Sequence, residues 1–358
     1  DQAIRRALEQ VTLPHLLGDI VLSHKLKSPV QDDSGVWQLV FELGCVVGEQ
    51  LSECHAAVES TLNELLPSRS FHVVFNQTIH SHSTQLPQQA VNGVKNIIAI
   101  ASGKGGVGKT TTAVSLALAL KHLGARVGLL DADIYGPNLP QMLALDTVPT
   151  IAQQAPMQPV IVHGLQTMSM AYLVPEGTPM VWRGPMISKA LQQLIMMTQW
   201  QDCDYLLVDM PPGTGDIPLT LGQKIPLSGA VVVTTPHQAS LADADKALAM
   251  FAKMKVPLLG LVENMSHITC GHCGHDQAVF GESNVAALAK SYETSLLGQL
   301  PLSTMHVEAL SQGMPAMALP QSENALYEQY MAIARKVSIA LSLRPRCYAG
   351  HFSSIAVE

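Results

Sequence analysis

Four clusters of residues have types and spacings suited to chemistry. Residues 103–110 read GKGGVGKT and satisfy G-x-x-x-x-G-K-[ST] in full. Gly103, Gly105, Gly106 and Gly108 free the backbone to wrap tightly with its N–H groups turned inward, a nest for phosphate. Lys109 offers an ammonium to the β- and γ-phosphates, and Thr110 a hydroxyl to Mg²⁺. Val107 completes the loop, and Thr111 begins a helix expected to run to Leu123 and stop at Gly124, its positive end on the same phosphates. A second cluster, VGLLDAD, ends in Asp131 and Asp133, two acids at a strand end, where doubly wound sheets bind ligands. The third, YLLVD, is an apolar strand closing on Asp209, an acid placed to bind Mg²⁺ through water. The MPPGTGD that follows has Gly213 and Gly215, which let a backbone N–H approach a γ-phosphate and release when it leaves. The fourth is Cys270-Gly-His-Cys273, two thiols at the spacing of a metal clamp.

Two thiolates are half of a four-sulfur site, and the chain has no second C-x-x-C. A symmetric homodimer would supply four across its two-fold axis. Three readings stand on the residues alone: a bridging iron–sulfur cluster, a zinc site helped by His267, His272 or His275, and a redox dithiol. The spacing by itself leans slightly to zinc. Cys45, Cys54, Cys203 and Cys347 have no ligand spacing; Cys45, Cys54 and Cys203 read as packing residues, with a second cluster site the lesser alternative for Cys45 and Cys54. Six cysteines in 358 residues are too few for a disulfide scaffold. With no signal-peptide-like apolar core in residues 1–20, a reducing cytoplasm is expected.

These clusters need a scaffold, and 358 residues predict about two domains. With 47% hydrophobic and 14% charged residues, the chain is neither disordered nor a coiled coil. It has no apolar run of 18 residues, so no membrane-spanning helix is expected. A net charge of −7 argues against nucleic acid as a partner. Residues 1–82 read as a small α+β domain, with helices over 4–11 and 50–66 and strands over 36–43 and 71–75. Residues 83–93 read as a polar linker within the stretch 81–96. Residues 94–340 alternate short apolar runs (97–101, 127–130, 205–208, 230–233 and 258–262) with helical segments. That texture predicts an α/β domain with a doubly wound, mostly parallel sheet. Residues 341–358 read as a loose tail, and Met168, Met170, Met196 and Met197 mostly as core fillers, some of them able to line a partner groove. His80 and His82 are assigned no role, and Trp182–Pro185 is an unusual loop, a docking surface or a turn. Asn264, at the end of an apolar run, has the donor and acceptor that adenine recognition needs.

With Lys104 directly after the first glycine, the loop resembles that of the deviant P-loop ATPases, the class of the MinD and ParA proteins. ASGKGGVGKTTTAVSLALAL, LLDADIYGPNLPQML, YLLVDMPPGTGD, VENMS and CGHCG occur in order and resemble the Mrp/ApbC iron–sulfur carrier ATPases over about residues 91–340. The resemblance implies ATP as the nucleotide and a homodimer closed by it, with Lys104 reaching the partner's phosphates. It implies that Asp133, rather than Asp131, polarises the attacking water, and that Asn264 and Pro301 of the QLPL segment lie against the base. It also implies a [4Fe–4S] cluster held between subunits by Cys270 and Cys273 and passed to apo-proteins. The N-terminal unit resembles the small domain ahead of the ATPase in bacterial members and is assigned no chemistry.

Overall fold

The computed structural model describes residues 2–11, 22–86, 89–133, 136, 138–145, 157–173, 184–319, 321 and 326–347. The N-terminal unit comprises α1 (Gln2–Leu8), α2 (Leu22–Lys25), β1 (Val30–Gln31), β2 (Val36–Glu42), α3 (Leu51–Leu65) and β3 (Ser70–Asn76). β2 pairs antiparallel with β1 and parallel with β3. Leu39 and Phe41 of β2 and Val73 and Phe75 of β3 alternate inward. They meet Cys54, Val58 and Leu62, which recur every four residues along α3.

The larger unit comprises β4 (Val94–Ala101), α4 (Lys109–His122), β5 (Val127–Asp131), α5 (Leu139–Met142), β6 (Val160–Val162), β7 (Leu165–Ser169), α6 (Gly184–Met197), β8 (Cys203–Asp209), α7 (Asp216–Lys224), β9 (Gly229–Thr234), α8 (Gln238–Lys253), β10 (Leu258–Asn264), β11 (Ile268–Thr269), β12 (Asp276–Gln277), α9 (Val285–Ser291), β13 (Leu296–Leu300), α10 (Thr304–Ser311) and α11 (Tyr327–Ser342). Eight strands form one sheet in the order β13-β10-β9-β4-β8-β5-β7-β6. Every pairing is parallel except β6 with β7. The protein is thus an α/β chain with a doubly wound, mostly parallel sheet.

Both faces of the sheet are covered, which explains the unbroken apolar strands. Ile98 and Ile100 of β4 join Leu207 of β8 and Val231 of β9 under α4 and α11. Ile97, Ala99 and Ala101 point the other way, with Leu206, Val208 and Val232, onto α6, α7 and α8. α4 lies between the sheet and α11, so Thr112–Leu120 is buried on all sides and shows no amphipathic stripe. Gly124 takes φ +99° and ends that helix as its position predicts. Among the described residues no helix is long and apolar enough to cross a membrane.

The structure departs from the expected organisation in several places. The polar segment 83–93 is no free connector. Gln85 Nε2 donates to the carbonyls of Gly222 (2.8 Å) and Ile225 (2.6 Å), and its Oε1 accepts from the Leu227 N–H (2.9 Å). His82 is buried and bonds through its N–H and Nδ1 to Asn96 Oδ1. The stretch expected as a loose tail is paired in its described part: Ser83 N–H donates to Pro345 O and Cys347 N–H to Ser81 O, both at 2.9 Å. α11 runs on to Ser342, beyond the expected boundary. Three strands lie outside the expected apolar runs: β6 is only three residues long, β7 mixes apolar and polar residues, and Gly298 interrupts β13. Met168 and Met170 are buried, but Met196 and Met197 are exposed, because α6 turns that face away from the sheet. Residues 182–183 of the Trp182–Pro185 loop and 348–358 of the tail lie outside the described residues.

Gln85→Ala leaves two carbonyls and one N–H without their partner, so it is expected to cost about 1–3 kcal/mol. A lower urea midpoint at unchanged slope would register this, whereas wild-type stability would show the segment to be a passive connector.

Candidate functional site

The sheet topology brings the three phosphate-site motifs together. β8 lies between β4 and β5, with Asp209 opposite both Ile100 and Asp131 in the register. The loop after β4, the acids after β5 and the segment after β8 therefore emerge side by side at the carboxyl edge. Lys109 Nζ meets Asp209 Oδ1 at 2.5 Å, and Thr110 Oγ1 donates to Asp209 Oδ2 at 2.6 Å. Burial raises the Asp209 pKa, while Lys109 and Thr110 oppose that shift. A hydroxyl and a carboxylate converging on one point form a hard oxygen donor set that fits Mg²⁺.

Beside this pair is a cavity of about 210 Å³. Lys104, Gly105, Gly106, Gly108, Lys109, Thr110 and Thr111 line one wall, and Asp133, Asn138, Met142, Ser102 and Pro212 the rest. Gly106 and Gly108 both take φ +81°, which L side chains rarely adopt. Gly103 is required for a different reason: a Cβ there would lie 2.1 Å from the Asp243 backbone of α8. Val107 is buried beneath the loop. Ser102 Oγ donates to Lys104 O at 2.9 Å and fixes the backbone from which the Lys104 side chain leaves.

The two acids after β5 occupy different environments. Asp131 is buried, and its carboxylate accepts from the N–H groups of Asp133 (3.0 Å) and Leu139 (3.3 Å) and from Ser169 Oγ (3.3 Å). Burial first, and the Asp209 charge second, raise its pKa to about 7. Asp131 thus binds the backbone at Asp133 and Leu139, whereas Asp133 lines the cavity. Residues 134, 135 and 137 of the IYGPN run lie outside the described residues. Sequence reasoning assigned no role to Ser102, Asn138, Met142 or Pro212, although each sits in or beside a quoted motif.

Gly213 takes φ +89° and its N–H donates to Ser102 O at 2.9 Å, so the segment after β8 is tied to the start of the loop. Asn264 ends β10 opposite Leu300, which places Pro301 on the adjacent strand end. The Asn264 amide donates to Val107 O at 2.9 Å, and Asn264 does not line the cavity.

Cys270 and Cys273 are exposed at the tip of the β11–β12 hairpin, apart from the phosphate site in sequence but on the chain leaving β10. Ile268 pairs with Gln277 and Thr269 with Asp276, while Cys270 N–H donates to His275 O and Gly274 N–H to Cys270 O, both at 2.9 Å. N–H groups of Cys273 and His272 turn toward the Cys270 sulfur and lower its pKa, favouring thiolate. His267 bonds Ser266 Oγ through Nδ1 at 2.9 Å, and its Nε2 lies 3.8 Å from Asp276 Oδ2 of the hairpin. Among the described residues no three His, Cys, Asp or Glu side chains form a group able to hold a metal ion, so one chain offers two sulfurs here. Cys45, Cys54 and Cys203 are buried, as the packing reading expects, and desolvation pushes Cys45 and Cys203 up to about 12; Cys347 is half-buried.

The chain is 52% identical to the iron–sulfur cluster carrier protein of Escherichia coli (strain K12) over 273 residues, 75% of this chain and 73% of that protein. It is 42% identical to the carrier of the same name from Haemophilus influenzae over 339 residues, 94% of this chain and 91% of the other, so that likeness reaches into the N-terminal unit. Among solved structures, the nucleotide-binding protein of Archaeoglobus fulgidus in complex with ADP superposes with a TM-score of 0.55 at 32% identity, covering 65% of this chain and 93% of its own. The family described as ParA, NUBPL iron-transfer P-loop NTPase, matches residues 93–338, and the chain belongs to that family.

Proposed function

We propose that this protein is an ATP-hydrolysing carrier of iron–sulfur clusters. It would hold a [4Fe–4S] cluster between two copies of the chain and deliver it to apo-proteins. The observation that carries this reading is the pairing, in one chain, of a complete phosphate loop with an exposed hairpin offering only two thiols. Two sulfurs are an incomplete set for a four-iron cluster, and a second copy completes it by symmetry. The printed names of the relatives, carriers of iron–sulfur clusters, support the cargo.

At the phosphate site, ATP would lie along the loop with its γ-phosphate facing Lys109 and Asp133. Water attacks the γ-phosphorus, the bond to the β–γ bridging oxygen breaks, and ADP and phosphate leave. Thr110 and Asp209 would hold Mg²⁺, which would supply charge neutralisation to the triphosphate. Lys109 neutralises charge from the chain itself, and Lys104, which lines the cavity, would do so across the dimer. Asp133 orients the water, held in place by the Asp131 bond to its N–H. The Gly213 contact to Ser102 gives the segment after β8 a position from which to sense the γ-phosphate. Base contact by Asn264 and Pro301 belongs to the same proposal. So do the division into a small domain and an ATPase domain, a reducing cytoplasm as compartment, and partners that are neither nucleic acid nor membrane. Six free cysteines accord with such a compartment.

Reconstituted anaerobically with iron and sulfide, wild type is expected to gain one cluster per dimer and the Cys270→Ser, Cys273→Ser double variant none. Equal iron and sulfide in both would remove the carrier assignment, and stoichiometric zinc without iron in protein from iron-replete cells would replace cluster with zinc. Lys109→Ala is expected to lose nucleotide binding in calorimetry. Asp133→Ala is expected to bind ATP but hydrolyse it about 10²-fold or more slowly, as read by phosphate release. Hydrolysis at the wild-type rate would show that another group orients the water.

A further inference from the structure

Asn264 lies between the two sites. Its Nδ2 donates to Val107 O at 2.9 Å and sits 2.2 Å from where a Cβ on Gly108 would stand, so no side chain separates it from the loop. Residues 265–269 alone connect it to Cys270, and that stretch is held along its length. Met265 takes φ +56°. The N–H and Oγ of Ser266 both donate to Leu300 O, at 3.0 and 3.1 Å. Leu302 N–H donates to His267 O at 2.8 Å, and Thr269 Oγ1 to Asp276 Oδ1 at 2.7 Å. A second line of contact runs parallel to it: the Asp243 backbone of α8 packs on Gly103, and His237 at the start of α8 meets the Phe280 ring edge-on at 6.0 Å, just past the hairpin.

We propose that Asn264 is a positioning residue that couples the two sites: a strut through which the state of the phosphate loop sets the geometry of the thiol hairpin. This rests on the carrier reading and names the regulation of its cargo site. When the loop closes on β- and γ-phosphates, the Val107 carbonyl moves with it. Asn264 must then follow or lose its bond, and the clamped stretch passes that choice to Cys270. Coupling of this kind is reciprocal, so cargo on the hairpin changes nucleotide affinity by the same factor as nucleotide changes the hold on cargo.

The test is amide hydrogen exchange over residues 268–277 of the full-length protein without cargo, with ADP or a non-hydrolysable ATP analogue. Wild type, Asn264→Ala and Ser266→Ala are compared, each at a nucleotide concentration that calorimetry shows to be saturating. Wild type is expected to exchange at different rates in the two nucleotides; the ratio of rates falls to about 1 in Asn264→Ala and part of the way toward 1 in Ser266→Ala, which keeps the Ser266 N–H bond to Leu300 O. Ser266→Ala, which leaves the Asn264 contact with Val107 O in place, keeps the test decisive where Asn264→Ala weakens folding or nucleotide binding. Identical exchange in the two wild-type complexes, or a full difference retained in Ser266→Ala, overturns the strut. Because the measurement needs no cluster, a protein that loads none would refute the carrier reading while the strut is still tested on its own.

Discussion

The contact of Lys109 and Thr110 with Asp209 organises the rest of the molecule. An ammonium and a carboxylate buried together at a sheet edge are stable only as a pair, and removing one partner of such a pair costs about 3–5 kcal/mol. Lys109 comes from the loop after β4, and Asp209 from the end of β8, a hundred residues later. The pair exists because those strands are neighbours, and the strands are neighbours because both are apolar on two faces and occupy the middle of a covered sheet. The helix that follows the loop is buried all round for the same reason: α11 closes it in from outside.

Around that pair, each carboxylate is assigned its task by its surroundings. Asp131 and Asp133 are two residues apart, yet one is buried and bonded to the Asp133 and Leu139 N–H groups, and the other lines the cavity. Burial and the nearby Asp209 charge hold the Asp131 pKa high, so it belongs with the scaffold. The glycines divide in the same way. Gly106 and Gly108 are demanded by backbone angle, Gly103 by the approach of α8, and Gly108 also by Asn264.

The thiol hairpin differs in kind. It has two short strands, no buried core of its own and exposed cysteines. Its geometry depends on backbone hydrogen bonds and on the clamped stretch leading from β10. A phosphate loop joined by a short, bonded segment to a lightly held hairpin with two exposed thiols is the arrangement on which the proposed coupling rests.

The sequence by itself determined the chemistry that depends on local order: the phosphate loop, the acids ending β5 and β8, the C-x-x-C pair and the five central strands. Each of those is a short run whose residue types and spacing carry their own physical reason. It also gave the main elements of the N-terminal unit, where α3 repeats every four residues and β2 and β3 alternate. What only the tertiary structure decided was whatever depends on partners remote in the chain. Gln85 and His82 look like linker residues until Ile225, Leu227 and Asn96 come alongside to bond them. The 344–347 segment looks loose until it pairs with 81–83. Met196 and Met197 cannot be told from core residues by type, because burial depends on which side of α6 meets the sheet. Asn264 likewise has an amide that suits a base, but only the packed strands show that its donor faces the loop. Hydrogen bonds and burial across long sequence separations leave no period in the chain, so they become visible only when the sheet has brought the strands together.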